Sequence, residues 1–175
     1  LRKGGTPQVK PSHRVRPAFD DPNLVSAAGL VPVLRLAESA GFHDLLKGLS
    51  VPSPNAVVKT AGVVAGMLAG ADCIDDLDLL RHGGLPRLFG GVRAPSTLGT
   101  FLRVFTFGHV RQLDAVAAQL LTRLTAATPI LPGLSTVAFV DIDDTVRQTF
   151  GYAKQGAGRG YSGVKGLNAL LATVS

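Results

Sequence analysis

An apolar run that leads directly into three acidic residues constrains this chain more than any other feature. Residues 137–140 (Val-Ala-Phe-Val) predict a core strand, and the chain continues into Asp-Ile-Asp-Asp-Thr at 141–145. Because side chains alternate faces along a strand, Asp141, Asp143 and Thr145 share one face and Asp144 lies on the other. Two carboxylates on a buried strand are costly unless they are paired or bind a cation. Such oxygens suit Mg²⁺, so phosphoryl transfer is the first function that these residues suggest.

The net charge of +6 is unevenly distributed along the chain. Residues 1–19 contain five Lys or Arg and no acid, and four more basic residues without an acid follow Asp144. The stretch 20–144 holds nine basic and all twelve acidic residues, a net charge of −3. Basic clusters outside a mildly acidic body are typical of a chain that contacts a polyanion such as DNA. A solubilising tail is the alternative interpretation of the first cluster.

Composition excludes several classes of protein. The single cysteine, Cys73, rules out an internal disulfide and a zinc site built from several thiolates, and it fits a reducing cytoplasm. The longest apolar stretch, 61–71, is far shorter than the roughly 20 residues of a membrane-spanning helix. The basic residues near position 1 are followed by Gly and Pro rather than by an apolar segment, so no signal peptide is expected. We therefore expect a cytoplasmic protein with no membrane partner.

The residue pattern predicts three regions. Residues 1–22 contain four prolines and no hydrophobic period, and we expect a basic extended arm. Residues 23–130 carry apolar side chains at helical spacing and form a helical region for DNA binding or dimerisation. Residues 131–175 change to the period of strands and begin an α/β domain. The predicted fold class is α+β, an all-α N-terminal region followed by the first strands of a second domain.

Within the helical region the spacing predicts helices with Asn or Asp as caps. They are a helix in 25–40 that starts or bends near Pro32, one in 55–68 capped by Asn55, a short one through 77–80 capped by Asp72, one after Ser96 through Phe105, and one in 110–124. Two strands follow, at 136–147 and 167–174, joined by a glycine-rich loop. A sheet of two strands is marginal alone, so the chain looks truncated within a larger domain.

Three stretches of the chain resemble the DDE transposases of the IS1380 group: Phe139–Thr145, Gly151–Gly156 and Gly160–Leu171. The resemblance implies an RNase H-like catalytic domain after a helical N-terminal region. In that family a first Asp on the first strand joins a second Asp and a Glu to hold two divalent metals, Mg²⁺ or Mn²⁺. The metals activate water, and later a DNA 3′-hydroxyl, for attack on phosphodiester bonds. The implied function is transposition of an insertion sequence, with transposon ends and target DNA as partners and a homo-oligomer as the full-length form.

Carried onto this sequence, the first catalytic and metal-binding Asp is the one followed by x-Thr, which is Asp143. Asp141, on the same face, is the alternative. No acid follows Asp144, so the second Asp and the Glu would lie outside these residues, and we expect the chain to bind DNA without cleaving it. The basic residues expected to contact DNA are Arg14, Arg16, Lys154, Arg159 and Lys165.

Two other functions fit parts of the same sequence. Asp141-x-Asp143-x-Thr145 also resembles motif one of the haloacid-dehalogenase-like phosphatases, which implies Asp141 as a nucleophile that forms an aspartyl-phosphate and Asp143 as general acid. That motif usually opens its domain, whereas here it lies late in the chain, and the family's later motifs are absent. The other function is a purely helical DNA-binding module, whose helix-turn-helix would contain Pro95-Ser96-Thr97 and Arg103. A plain helical bundle is the simpler interpretation.

The glycine-rich loop contains two further features. Gly158–Gly163 matches G-x-G-x-x-G, but a strand is expected after it, whereas dinucleotide binding requires a helix there. Tyr152 and Tyr161 are expected to pack against the protein, with stacking on nucleic-acid bases as the alternative.

Overall fold

The computed structural model describes residues 21–129, 133, 136–150 and 156–174. The helices are α1 (Leu30–Ser39), α2 (Phe42–Leu46), α3 (Ala56–Leu68), α4 (Leu85–Leu88), α5 (Pro95–Arg103) and α6 (Phe107–Ala127), with a 3-10 helix at Asp75–Arg81. The strands are β1 (Val140–Gln148), β2 (Gly158–Arg159) and β3 (Lys165–Val174). The coarse fold class α+β is confirmed, and the two expected strands are β1 and β3 with slightly different ends.

The helices pack around two apolar clusters. The larger cluster combines buried side chains of α2, the loop after it, α5 and α6, namely Phe42, Leu46, Leu49, Val51, Phe101 and Val116. The smaller cluster joins Leu30 of α1, Ala65 of α3 and Leu80 of the 3-10 helix. Full burial of a large apolar side chain stabilises a fold by about 1.5–3 kcal/mol. These clusters therefore stabilise the short helices, such as α2 and α5, which would not persist alone in water.

Helix caps differ from the sequence-based expectation at two places. Asn55 does precede α3, but it adopts a left-handed conformation (φ 58°) and its side chain makes no capping bond. Asn tolerates this conformation better than most residues, so Asn55 acts as a turn residue. Asp72 does not cap the 3-10 helix, because Asp76 Oδ2 instead accepts the backbone N–H groups of Asp72 and Cys73 at 3.3 and 3.2 Å.

The start of α6 is a capping box that the sequence pattern did not reveal. The Thr106 hydroxyl accepts the backbone N–H of His109, and His109 Nδ1 accepts the backbone N–H of Thr106 at 3.1 Å. The capping box was not predicted, because Glu or Gln is the usual residue at the position that His109 occupies. The cap explains why α6 begins at Phe107 rather than near 110.

Two further expectations concern the helical region. The 3-10 helix and α5 are separated by α4 and its flanking loops, whereas a helix-turn-helix has a turn of about 3–4 residues. The 3-10 helix and α5 therefore do not form the helix-turn-helix considered as an alternative for these residues, and they pack as parts of a helical bundle. Within the described ranges, no helix combines the length and the apolar character that crossing a bilayer requires.

The three strands form one antiparallel sheet in the order β1-β3-β2. β1 pairs along its whole length with β3, from Val140 opposite Val174 to Gln148 opposite Gly166. β2 pairs with the first residues of β3; it was not expected, since two residues carry no strand pattern. A strand, rather than a helix, follows Gly163. The G-x-G-x-x-G match therefore lacks the helix N-terminus on which dinucleotide binding depends.

The sheet is exposed on both faces, which corrects the expectation of a buried acidic strand. Ile142 on one face is 63% exposed and Leu171 on the other is 50% exposed. The extensive contacts between elements join helix to helix or strand to strand. Asp141 and Asp143 are exposed to solvent, so their charges carry little desolvation cost and need no partner for stability.

Gly166 determines how closely β1 and β3 approach. A Cβ added at this residue would lie 2.7 Å from the Arg147 carbonyl oxygen and 2.8 Å from Val146 Cγ1. We expect Gly166→Ala to push the strands apart and to lower the free energy of unfolding of the hairpin by about 1–3 kcal/mol, a typical effect of overpacking. Gly160→Ala is the matched control, because nothing lies within 4 Å of its added Cβ. Amide hydrogen exchange across β1 and β3 measures the difference, and equal protection in the two variants would contradict this role of Gly166.

Candidate functional site

The acidic residues of β1 lie on the faces that strand alternation predicts. The pairing of β1 with β3 is continuous from 140 to 148, so Asp141 and Asp143 share one face and Asp144 lies on the other. The opposite neighbours of the two acids on β3 are Thr173 and Leu171. The Thr145 hydroxyl, on the same face, lies 3.4 Å from Asp143 Oδ2 and donates to it. We call this surface of the sheet the acidic face.

Asp141 and Asp143 have the chemistry of a partial Mg²⁺ or Mn²⁺ site. In the part of the chain that the structure describes, ion pairs involve other carboxylates, those of Asp44, Asp78 and Asp114. The oxygens of Asp141 and Asp143 are therefore available to a cation. Mg²⁺ often takes one or two protein carboxylates and fills its other positions with water or phosphate oxygens. These two residues fit that ligand set.

Three cations lie on the same face, toward the other end of the sheet. Arg147 follows Asp143 and Thr145 in the alternation of β1, and it is exposed. Lys165 shares the face, because it lies two residues before Leu167, which is opposite Arg147. Arg159 of β2 lies directly opposite Lys165. The two-residue period 141, 143, 145, 147 places Arg147 on the face of the acids. This alternation was the signal in the sequence that could have identified it.

The pairing of Arg159 with Lys165 puts like charges side by side. Directly opposite residues on antiparallel strands have Cβ atoms about 5 Å apart, and like charges there are destabilising. Arg159 Nη1 donates to the Gly163 carbonyl at 3.1 Å, which closes the turn around Tyr161.

Tyr161 lies at the tip of this turn and is 88% exposed. The expectation that it packs against the protein is therefore wrong, because its neighbours in the turn leave the ring in solvent. Of the basic residues expected to contact DNA, Arg159 and Lys165 are brought together. Arg14, Arg16 and Lys154 lie outside the described residues, as does Tyr152.

A second cluster of possible metal ligands lies in the helical region. Asp72, Cys73 and Asp76 each offer an atom within 4.8 Å of the others, and all three are exposed. Hydrogen bonds with the Cys73 side chain and then with Asp72 lower the pKa of Asp76 below its usual value. Asp76 also accepts two backbone N–H groups at the start of the 3-10 helix. These contacts give the cluster a structural role, in agreement with the first-turn position of Asp76.

Comparison of the chain with protein-family models, with curated proteins and with solved structures found no match in any of the three. The functional interpretation therefore depends on the residues and the geometry described above.

Paramagnetic Mn²⁺ tests the acidic face directly. We expect Mn²⁺ to broaden the backbone NMR signals of residues 141–145 and 171–173 before those of the helices. Asp143→Asn should weaken Mn²⁺ binding by about tenfold, because it removes one of two close negative charges. Asp144→Asn makes the same change of charge on the opposite face and should have little effect. Equal weakening in the two variants would show that Mn²⁺ responds only to the net charge.

Proposed function

We propose that this chain supplies the first catalytic acid and part of the DNA-binding surface of a metal-dependent DDE transposase, in which β1 and β3 are the first strands of an RNase H-like sheet. The observation that carries the proposal is that acids and cations share one open face. Asp141 and Asp143 lie at one end of it, and Arg147, Arg159 and Lys165 lie at the other. Strand cleavage requires cations that hold the DNA backbone beside acids that bind metal.

The dimensions of the acidic face suit a nucleic-acid backbone. A strand rises about 3.3 Å per residue, so Asp143 and Arg147 lie about 13 Å apart along β1. One DNA strand carries a phosphate per roughly 3.4 Å of helix axis, so this distance covers about four phosphates. The exposed ring of Tyr161 provides a surface on which an unpaired base would stack.

The acids have distinct roles in this proposal. When bound, the divalent metals would activate the attacking water or 3′-hydroxyl and stabilise the leaving oxygen. Asp143 would be the first ligand, with Asp141 beside it on the same face. The Thr145 hydroxyl, 3.4 Å from Asp143 Oδ2, restricts the orientation of that carboxylate. Two like charges on one face repel each other without a cation, which favours cation binding.

The position of the acids within β1 favours this function over a haloacid-dehalogenase-like phosphatase. In open α/β sheets ligands bind beyond the carboxyl ends of parallel strands. Asp141 and Asp143 lie in the first half of β1, which continues to Gln148 and pairs antiparallel with β3. Acids on the exposed face of an antiparallel pair, with the strand continuing beyond them, fit a substrate that lies across the face of the sheet.

Binding to duplex DNA tests whether the cations of the acidic face contact phosphates. We expect Arg147→Ala to lower affinity several-fold and to reduce the slope of log K against log salt by about 0.9, the effect of one lost phosphate contact. Arg111→Ala removes the same charge from α6, where Arg111 pairs with Asp114 at 3.0 Å, and should leave the slope unchanged. Fluorescence anisotropy at several salt concentrations measures both. No binding at low salt, or equal changes of slope in the two variants, would sink the proposal.

The proposed catalytic role of Asp143 is tested in a longer chain that also carries a second Asp and a Glu. There Asp143→Asn should abolish Mg²⁺-dependent strand cleavage and leave binding to the transposon ends intact, because folding does not need the carboxylate. Steady release of phosphate from a small phosphate ester, lost in Asp141→Asn, would instead favour the phosphatase.

A further inference from the structure

A buried lysine in the helical region has no acidic partner within the part of the chain that the structure describes. Lys59 of α3 is only 9% exposed. Its Nζ donates to Ser53 Oγ at 2.9 Å and lies 5.5 Å from the centre of the Phe101 ring. The ion pairs found among the described residues do not include it. An ammonium group has three N–H donors, and among the described residues this one has one hydrogen-bond acceptor, Ser53, and no acidic partner.

Lys59 lines a cleft that is rich in hydroxyl groups. The cleft has a volume of about 500 Å³, and its polar lining is Ser53, Lys59, Ser96, Thr97 and Thr100. The residues around it include no acid. A buried charge is costly unless it is paired and hydrogen-bonded. The cleft therefore offers hydrogen-bond donors and a positive charge, and the described residues that line it carry no negative charge.

The first turn of α5 contributes further donors to the same cleft. α5 begins at Pro95, and Ala94 before it has no side chain that could cap the helix. The first helical bond in this turn runs from the Leu98 N–H to the Ala94 carbonyl, so the N–H groups of Ser96 and Thr97 have no acceptor within the helix. Helix N-termini of this kind favour anions, through the free N–H groups and the helix dipole.

We propose that this cleft binds a phosphate-type oxyanion, with Lys59 as its counter-ion and with Ser96 and Thr97 as donors from α5. A tetrahedral oxyanion accepts hydrogen bonds from several directions, and the residues that would donate to it line one cleft from different elements, the loop before α3, α3 itself and α5. The charge of the ion would compensate the buried charge of Lys59. This site is separate from the acidic face of the sheet, and it does not depend on the proposed strand cleavage.

Titration with inorganic phosphate, monitored by NMR on the ¹⁵N-labelled chain, tests the site. At constant ionic strength set with NaCl, phosphate should shift the amides of Ser96 and Thr97 first, and the shifts should saturate. Lys59→Met keeps the apolar stem and removes the charge, and it should raise the Kd for phosphate by about tenfold, the effect of one lost charge-assisted hydrogen bond. Lys47→Met is the control, because Lys47 is exposed and pairs with Asp44 at 2.7 Å. It should leave the Kd unchanged.

The Ser96→Ala/Thr97→Ala double variant provides a second measurement if Lys59→Met fails to fold. Both residues are exposed, so folding should be retained, and loss of two hydroxyl donors should raise the Kd several-fold. Shifts that do not saturate, or a Kd that is the same in wild type and the double variant, would overturn the proposal.

A short DNA duplex then identifies the source of the phosphate group. Shifts of the same amides by DNA, reversed by inorganic phosphate, would assign the site to the DNA backbone. Saturable shifts by phosphate alone would assign it to a free phosphate group. Either result supports the oxyanion site, whereas an effect of phosphate spread evenly over the basic surface would contradict it.

Discussion

The antiparallel pairing of β1 with β3 is the constraint on which the proposed site depends. Alternation along β1 keeps Asp141, Asp143 and Arg147 on one face whatever its partner. The register with β3 decides whether Lys165 and Arg159 join them, because a slip of one residue moves every side chain of a strand to the other face. Gly166 stabilises this register, since its backbone packs against the Arg147 carbonyl, where a side chain would not fit. The arrangement of charged side chains on this face therefore depends on the close contact between the backbones of Gly166 and Arg147, at the end of the sheet opposite Asp141 and Asp143.

One cation of the helical region, Lys59, is placed differently from those of the sheet. Lys59 is buried between α3 and α5, whereas Arg147 and Arg159 on the sheet are exposed. Salt screens exposed charges strongly and buried ones much less. Contacts of DNA with the sheet should therefore weaken steeply as salt rises, while an anion held by Lys59 should be less sensitive. Two surfaces with different salt responses would let one chain hold a polyanion through both of its regions.

Much of the fold could be predicted from residue spacing. The apolar periods of α3 and α6 and the alternation of β1 are long enough to identify helix and strand, and the α+β class followed from their order. The short elements α2, α4 and β2 were not predicted, because each is too short to show a hydrophobic period. Caps were missed where an unusual residue performs the role, as His109 does for Thr106.

The candidate site was predictable in part, for a physical reason. The face on which a strand residue lies follows from the two-residue alternation. The sequence therefore showed that Asp141 and Asp143 share a face. Burial and cross-strand partners depend on tertiary contacts. The exposure of β1, the contact of Arg159 with Lys165 and the buried charge of Lys59 therefore required the structure.

The central claim is that DNA lies against the acidic face of the sheet. Thr145→Cys and Val146→Cys, each combined with Cys73→Ser, place a single thiol on adjacent half-buried residues that point to opposite faces. An iron chelate attached to each thiol generates hydroxyl radicals that cut nearby DNA. We expect cleavage of a bound duplex to be several-fold stronger from position 145 than from position 146. Equal cleavage from both positions, or stronger cleavage from position 146, would contradict it.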